Sequence, residues 1–344
     1  MSSILKSQIE AKDTIVFNKN EFIKNYRSKI ILITGAGSIG EELLKVLYDT
    51  NITFIVIDNS EITLFNLKEK NKKYKNIYFV LCSIRDRKRL KNLFKIYAPN
   101  IVIHTAAYKH VDLSEHNIYE SIRTNIEGTV NLFNVSTNSS VEQFLFVSTD
   151  KAVYPTSLMG KTKKVAELYL ESFIGRIYTK IKIIRFGNVL NSSGSLLSII
   201  KTKLENDEDI YIRGKNTKRY FIFPEVVSKS ILNLLSVNDS GLYMVNMGEP
   251  IKIFDLVREV LVKSKKPSKK ILFSKLLKGE KEEENLLYKS EKLKNTKFKE
   301  LYKIKKPEVD ISHKKIKKLI KYNRKLNLNI SEEALNKIIY EYQE

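Results

Sequence analysis

The sequence predicts an α/β protein: a doubly wound parallel sheet with a smaller lobe toward its C-terminal side. Three observations lead there. From about residue 29 onward, apolar runs of strand length alternate with stretches of helical period, the pattern of successive βα units. The runs are near-continuous in Ile, Val and Phe, so both faces of each strand are to be covered. After "FGNVLNSSGSL" the alternation decays into loops, charge runs and short amphipathic pieces such as "IFDLVREVLVK", which suits a second lobe over the carboxyl ends of the strands.

Strands are expected at "KIILIT", "TFIVID", "IYFVLC", "NIVIHTA", "QFLFVST", "IKIIRF" and "LYMVNM". Helices are expected near residues 39–49, 61–73, 87–97, 115–138, 158–175 and 225–236. Residues 1–28, polar with scattered apolar positions, read as an arm packing on the body. The sheet domain takes residues 29–187, with segments near 221–247 returning to it. Residues 188–220 and 248–344 make up the second lobe. No internal repeat is present.

With 344 residues, 42% of them hydrophobic, the chain can bury a large core. Its apolar runs fall far short of the roughly 20 residues a bilayer span requires, and the N-terminal "MSSILKSQIEAKD" has no signal-peptide core. A single cysteine, Cys82, excludes an intramolecular disulfide and fits a reduced, cytoplasmic setting. The charge of +22 would suit an anionic partner. Its lysines are dispersed among acids, as in "KGEKEEENLLYKSEKLK", so solvated faces are expected rather than a nucleic-acid surface. No histidine or cysteine stands at metal-ligand spacing, and no metal is expected.

"IILITGAGSIGEELLKVL" sets Gly35, Gly37 and Gly40 in G-x-G-x-x-G spacing between a strand and a helix. Glycines there permit a tight turn and close backbone approach, and the helix N-terminus attracts a pyrophosphate. "FIVIDNSE" supplies Asp58 at the end of the next strand, where a carboxylate accepts from ribose hydroxyls and repels a ribose phosphate. NAD is expected rather than NADP.

These motifs, with "HTAAYKHVDLSEHN", "NIEGTVNL", "STDKAVYPTSLMGKTKK", "RFGNVLNSSGSL", "KRYFIFPE", "YMVNMGEPIKIFDL" and "KGEKEEENL", resemble the extended short-chain dehydrogenase/reductases that act on nucleotide sugars. Within them the chain most resembles the UDP-N-acetylglucosamine 4,6-dehydratases of bacterial polysaccharide and glycan biosynthesis. "IVFNKNEFIKNYRSK" is similar to the lead-in of longer, membrane-anchored relatives. The resemblance implies a Rossmann cofactor domain, a UDP-sugar substrate held in the second lobe, and a homo-oligomer. The tyrosine most relatives carry four residues before the helical lysine is Met159 here, as in the non-inverting branch. The chain departs from the family in its glycine loop, one residue short, in Tyr154 where Asn is common, and in "KLLKGEK", which lacks the usual Arg-Pro.

A 4,6-dehydration needs a base near the C4 hydroxyl, a base at C5 and an acid at the C6 oxygen. The resemblance implies that Thr149 holds the C4 hydroxyl, Asp150 handles the departing C6 hydroxyl and Lys151 removes the C5 proton. With Met159 unable to titrate, the C4 proton is expected to pass to Asp150, directly or through Thr149 or water. Lys151 would need a depressed pKa to act as a base at neutral pH. Lys163 is expected to bond the nicotinamide ribose. The cofactor site is expected to comprise Gly35, Gly37, Ser38, Ile39, Gly40, Asp58, Ser83, Ile84, Ala106, Ala107 and Lys163, and the substrate site Lys109, Asn188 and Arg219, the last as a diphosphate clamp. Alternative readings stand beside these: Thr149 and Asp150 as a turn pair, Tyr154 bordering the sugar, Lys109 and His110 as a solvated loop edge, Arg219 as an unpaired surface residue. For the whole chain the alternatives are a C5-inverting dehydratase, a nucleotide-sugar 4-epimerase and a non-catalytic NAD-binding sensor.

Overall fold

The computed structural model describes residues 5–192, 194–266, 268–307 and 312–342. All seven expected strands are present: β1 (Ile30–Thr34), β2 (Thr53–Asp58), β3 (Ile77–Leu81), β4 (Ile101–His104), β5 (Gln143–Val147), β6 (Lys180–Arg185) and β7 (Gly241–Val245). With β8 (Lys292–Asn295) and β9 (Leu301–Lys305) they form one nine-stranded sheet in the order β8-β9-β7-β6-β5-β4-β1-β2-β3. β1 to β7 pair in parallel, whereas β9 runs antiparallel to both β7 and β8. The order reverses between β1 and β4, so ligands are expected in the crevice at the carboxyl ends of these strands. The central strands are buried along almost their whole length, as their near-continuous apolar runs require.

Residues 292–305 and 313–341, expected to belong with the smaller lobe, pack with the sheet domain instead. β9 turns Leu301 and Ile304 into the core, while β8 is wholly exposed and closes the sheet with a lysine-bearing edge. Helices His313–Arg324 and Leu328–Glu341 bury Ile316, Leu319, Leu335 and Ile338 in the same core cluster as Val165, Leu168 and Tyr169 of helix Leu158–Glu171. The lobe proper is smaller than expected. Helices Leu196–Glu205 and Ile253–Lys263 and the parallel pair Ile210–Arg213 and Ile271–Ser274 enclose a separate core of Ile200, Leu204, Ile210, Ile212, Val257 and Leu261.

The N-terminal segment contributes buried side chains to two clusters. Its helix Lys19–Tyr26 buries Phe22 and Tyr26, and Leu5 joins Leu190, Phe221, Ile251 and Leu256. The single helix expected over 115–138 is divided. Short turns at Val111–Glu115 and Ile118–Ser121 lead into a π-helical stretch, Ile122–Gly128, before Thr129–Thr137. Gly128 faces Ile84 so closely that a Cβ there would lie 2.7 Å from Ile84 Cδ1. Among the described residues, no helix is long and apolar enough to cross a membrane.

Lys182 on β6 is fully buried, bonded to the Gln143 side-chain oxygen at 2.6 Å and the Leu235 carbonyl at 2.8 Å, and burial brings its pKa down to about 7. The unfolded chain binds this proton up to pH about 10.4. Between about 7 and 10.4 the unfolded state therefore holds the extra proton, and stability rises with pH through that window by about 1.4 kcal/mol per unit. Lys182→Met is expected to remove one proton's worth of this slope and to raise stability near neutrality, because the Tyr26 hydroxyl still donates to the Leu235 carbonyl at 2.8 Å. Urea unfolding across the window reads it; an unchanged slope contradicts the assignment.

Candidate active site

The glycine loop leaves β1 and enters helix Ser38–Leu47, whose N-cap is Gly37. Gly35 has φ +91° and lies against the β4 exit, where a Cβ would come within 2.7 Å of Thr105 Oγ1 and 2.8 Å of the Ala106 nitrogen. At Gly40 a Cβ would lie 2.1 Å from the Gly35 carbonyl oxygen, so helix and strand meet as closely as glycine allows. Nothing lies within 4 Å of a Cβ at Gly37. The helix N-terminus thus presents its backbone N–H groups, with no side chain capping them from Gly37, to open space of the kind that accepts a phosphate. Asp58 ends β2 and holds the loop: its Oδ2 accepts from the Ala36 N–H at 2.7 Å and its Oδ1 from the Ser60 N–H at 2.8 Å.

At the end of β5 the chain makes a 3-10 turn over Asp150–Ala152. Thr149 caps it, accepting from the Lys151 N–H and donating to Asp150 Oδ1 at 2.9 Å. The Lys151 ammonium donates to the same Oδ1 at 3.0 Å and to Asn188 Oδ1 at 2.8 Å. Asp150 is buried, and its Oδ2 has no hydrogen-bond partner among the described residues. A buried carboxylate oxygen without a partner is costly, and its occurrence calls for an explanation. Gly187 lies beside it; a Cβ there would fall 3.1 Å from Oδ2. Helix Leu158–Glu171 closes over the turn through Gly160, where a Cβ would lie 2.3 Å from the Lys151 carbonyl oxygen. The sequence therefore sets two things here: a local turn that clusters hydroxyl, carboxylate and ammonium, and a glycine that lets the next helix reach it.

The family model for polysaccharide biosynthesis proteins matches residues 31–306, a span that includes the glycine loop, the Thr149–Lys151 turn and the Asn188 strand. The chain belongs to that family. The capsular polysaccharide biosynthesis protein CapD of Staphylococcus aureus is 32% identical over 305 residues, 85% of this chain; the chain spans about half, 51%, of that relative's length. A UDP-N-acetylglucosamine 4,6-dehydratase (inverting) of Campylobacter jejuni subsp. jejuni serotype O:2 is 30% identical over 239 residues, 67% of this chain and 70% of that protein. The solved structure of Pen from Bacillus thuringiensis superposes with a TM-score of 0.71 at 28% identity, covering 75% of this chain and 83% of that one.

In this polysaccharide biosynthesis family member most of the expected site residues fall into two groups. Gly35, Gly37, Ser38, Ile39, Gly40 and Asp58 lie together around the first strand-helix junction. Ala106 and Ala107, both half-buried, follow β4, and the Ala106 N–H reaches Thr34 Oγ1 at 3.5 Å. Ser83, after β3, accepts from the Arg85 N–H at 3.2 Å, and the Ile84 side chain packs into the core against Gly128. Thr149, Asp150, Lys151 and Asn188 form the second group. Met159 is buried on the facing helix. Lys163, four residues on, donates to the Val147 carbonyl at 2.6 Å and sits 3.9 Å from the centre of the Phe146 ring. Burial, only partly opposed by the charge of Glu167, lowers its pKa to about 7.

The remaining expected residues have partners of their own. Lys109 lies on an exposed loop, its ammonium 3.4 Å from Ser192 Oγ, and desolvation lowers its pKa. His110 packs its ring on Gly194, and its pKa is lowered by burial and by Lys109. Arg219 is buried rather than on the surface, and its guanidinium donates to the carbonyls of Lys218 at 2.8 Å and Glu282 at 3.0 Å. Tyr154 is at φ +42°, its ring tilted 51° against that of Tyr288 with centres 4.5 Å apart, and its hydroxyl accepts from the Lys289 N–H at 2.9 Å.

Sequence reasoning missed three contributors. Asn125, on the π-helical stretch, clamps the loop after β4 by accepting from the Tyr108 N–H at 2.8 Å and donating to its carbonyl at 3.0 Å. Its signal was the helix-distorting "NIEGT". Lys281 and Glu284, from "KGEKEEENL", approach the Lys151 turn, and nothing local distinguishes them from a solvated charge run.

Proposed function

We propose that the chain is a nucleotide-sugar 4,6-dehydratase, acting on UDP-N-acetylglucosamine to give a UDP-4-keto-6-deoxy-N-acetylhexosamine with the C5 configuration retained. The observation that carries this reading is the pairing of Asp150 with Lys151 on one turn, with the unpartnered Asp150 Oδ2 in place and no titratable group at Met159. The glycine cradle and Asp58 fit NAD. When bound, NAD would supply the hydride acceptor for C4 and the donor for C6.

The chain's own residues then divide the proton work. Thr149 orients the C4 hydroxyl, whose proton passes to Asp150. Lys151, entering the step as the neutral amine, takes the C5 proton, and Asp150 delivers to the departing C6 oxygen the proton it received from C4. Lys163 bonds the nicotinamide ribose once its ammonium leaves the Val147 carbonyl. Asn188 holds Lys151 in line, and Lys109 and Arg219 contribute to the diphosphate end. A cytoplasmic homo-oligomer is the setting this reading favours.

The name of the Campylobacter relative favours a second reading, in which C5 is inverted. Incubation with UDP-N-acetylglucosamine is expected to yield a product lighter by one water. An isomer of unchanged mass would mean a 4-epimerase, and no turnover of any UDP-hexosamine would mean a sensor. Denaturing the purified protein is expected to release NAD; chiefly NADP would overturn the role given to Asp58.

A further inference from the structure

The segment from Leu277 to Glu291 runs along the far side of the Thr149–Lys151 turn. It is tied to the turn and the residues that follow it at four points, two of them backbone carbonyls. Thr156 Oγ1 donates to the Gly279 carbonyl at 2.8 Å, Lys281 Nζ to the Val153 carbonyl at 2.8 Å and the Tyr288 hydroxyl to the Ala152 carbonyl at 3.0 Å, while the Tyr154 hydroxyl accepts from the Lys289 N–H at 2.9 Å. One member of the segment instead faces the turn's charge. Glu284 is 6% exposed, with Oε1 3.8 Å from Lys151 Nζ and Oε2 3.7 Å from Lys281 Nζ. A carboxylate withdrawn from water is costly unless a cation compensates it. Its compensation here is Lys151 on one side and Lys281 on the other.

We propose that Glu284 is a positioning residue for Lys151, a second carboxylate brought by the segment that packs on the turn to hold the ammonium formed on C5 deprotonation between two anions. This rests on the dehydratase reading. Lys151 has three N–H donors when charged. Asp150 and Asn188 receive two of them, and Glu284 stands on the remaining side. Once Lys151 has taken the C5 proton, a lone Asp150 would draw the ammonium onto itself and be lost as an acid for the C6 oxygen. Glu284 balances that pull and leaves Asp150 Oδ2 turned toward substrate. The alternation Asp150, Lys151, Glu284, Lys281 thus lets one turn keep an acid and a base apart although no tyrosine shares the work.

Glu284→Gln keeps the shape and the ability to accept from Lys281 while removing the charge. It is expected to lower kcat by about 10²-fold, the scale of a small misplacement of a reacting group, with KM and bound nucleotide little changed. Glu284→Ala is expected to be equally slow and to regain activity with added formate, a response that a packing defect would not give. If wild type dehydrates the sugar and Glu284→Gln keeps kcat within about threefold, the positioning role is overturned and the dehydratase reading stands. The role is also overturned if formate fails to restore Glu284→Ala. If wild type itself releases no water from the sugar, the dehydratase reading falls, and this role with it.

Discussion

Lys151→Met is expected to reduce dehydration by about 10²–10⁴-fold, the usual contribution of a general acid or base. Methionine matches lysine in length, and the turn does not depend on the ammonium for its shape. Thr149 still caps it and donates to Asp150 Oδ1, and Tyr288 and Lys281 still hold the carbonyls of Ala152 and Val153. What disappears is the only amine hydrogen-bonded to both Asp150 and Asn188 among the described residues. The fold and the bound nucleotide should therefore survive while turnover does not. Residual turnover near the wild-type rate would remove Lys151 from the mechanism.

Arg185→Met is expected to cost about 3–5 kcal/mol of stability, the scale for leaving a buried charge without its partner. Arg185, at 1% exposure, is bonded by Nε and Nη2 to Glu167 at 2.9 and 2.7 Å and by Nη1 to Glu291 at 3.1 and 2.9 Å. Burial alone would push the Glu167 carboxyl up, but Arg185 outweighs it and holds the pKa at about 2. The unfolded carboxyl titrates at about 4.3. This contribution to stability is therefore present above that pH and lost as pH falls toward 2. With Arg185 gone, Glu167 keeps, among the described residues, Ser148 at 2.6 Å and Lys164 at 3.6 Å, and Glu291 keeps the Tyr288 N–H at 3.0 Å. A denaturant midpoint lowered at unchanged m is the expected reading. A loss under about 1 kcal/mol would mean that the remaining partners suffice for both carboxylates.

This network also explains part of what the sequence conceals. "IKIIRF" reads as a buried strand with one charged residue; only the fold reveals that Arg185 gathers a helix and the segment after Tyr288 into one neutralised cluster. The seven parallel strands were legible because burial on both faces forces near-continuous apolar runs. β8 and β9 were not, since a wholly exposed "KLKN" and a strand burying only Leu301 and Ile304 carry little apolar signal. The C-terminal helices were not foreseen in their charge-rich sequence, and which surface covers Ile316 and Leu335 is a tertiary fact. In the site, Thr149, Asp150 and Lys151 were readable because their grouping is local. Glu284 was not, because "KEEE" offers three successive carboxylates and only the path of the segment turns the last of them inward.

The measurement that bears most directly on the central claim is conversion of UDP-N-acetylglucosamine in D2O, with C5 of the product read by NMR. Removal of the C5 proton by Lys151 and return of a solvent proton to the same face predict a 4-keto-6-deoxy sugar with one deuterium at C5 and the original configuration. A dehydrated product with C5 inverted, or a C4 epimer with no deuterium at C5, would contradict it.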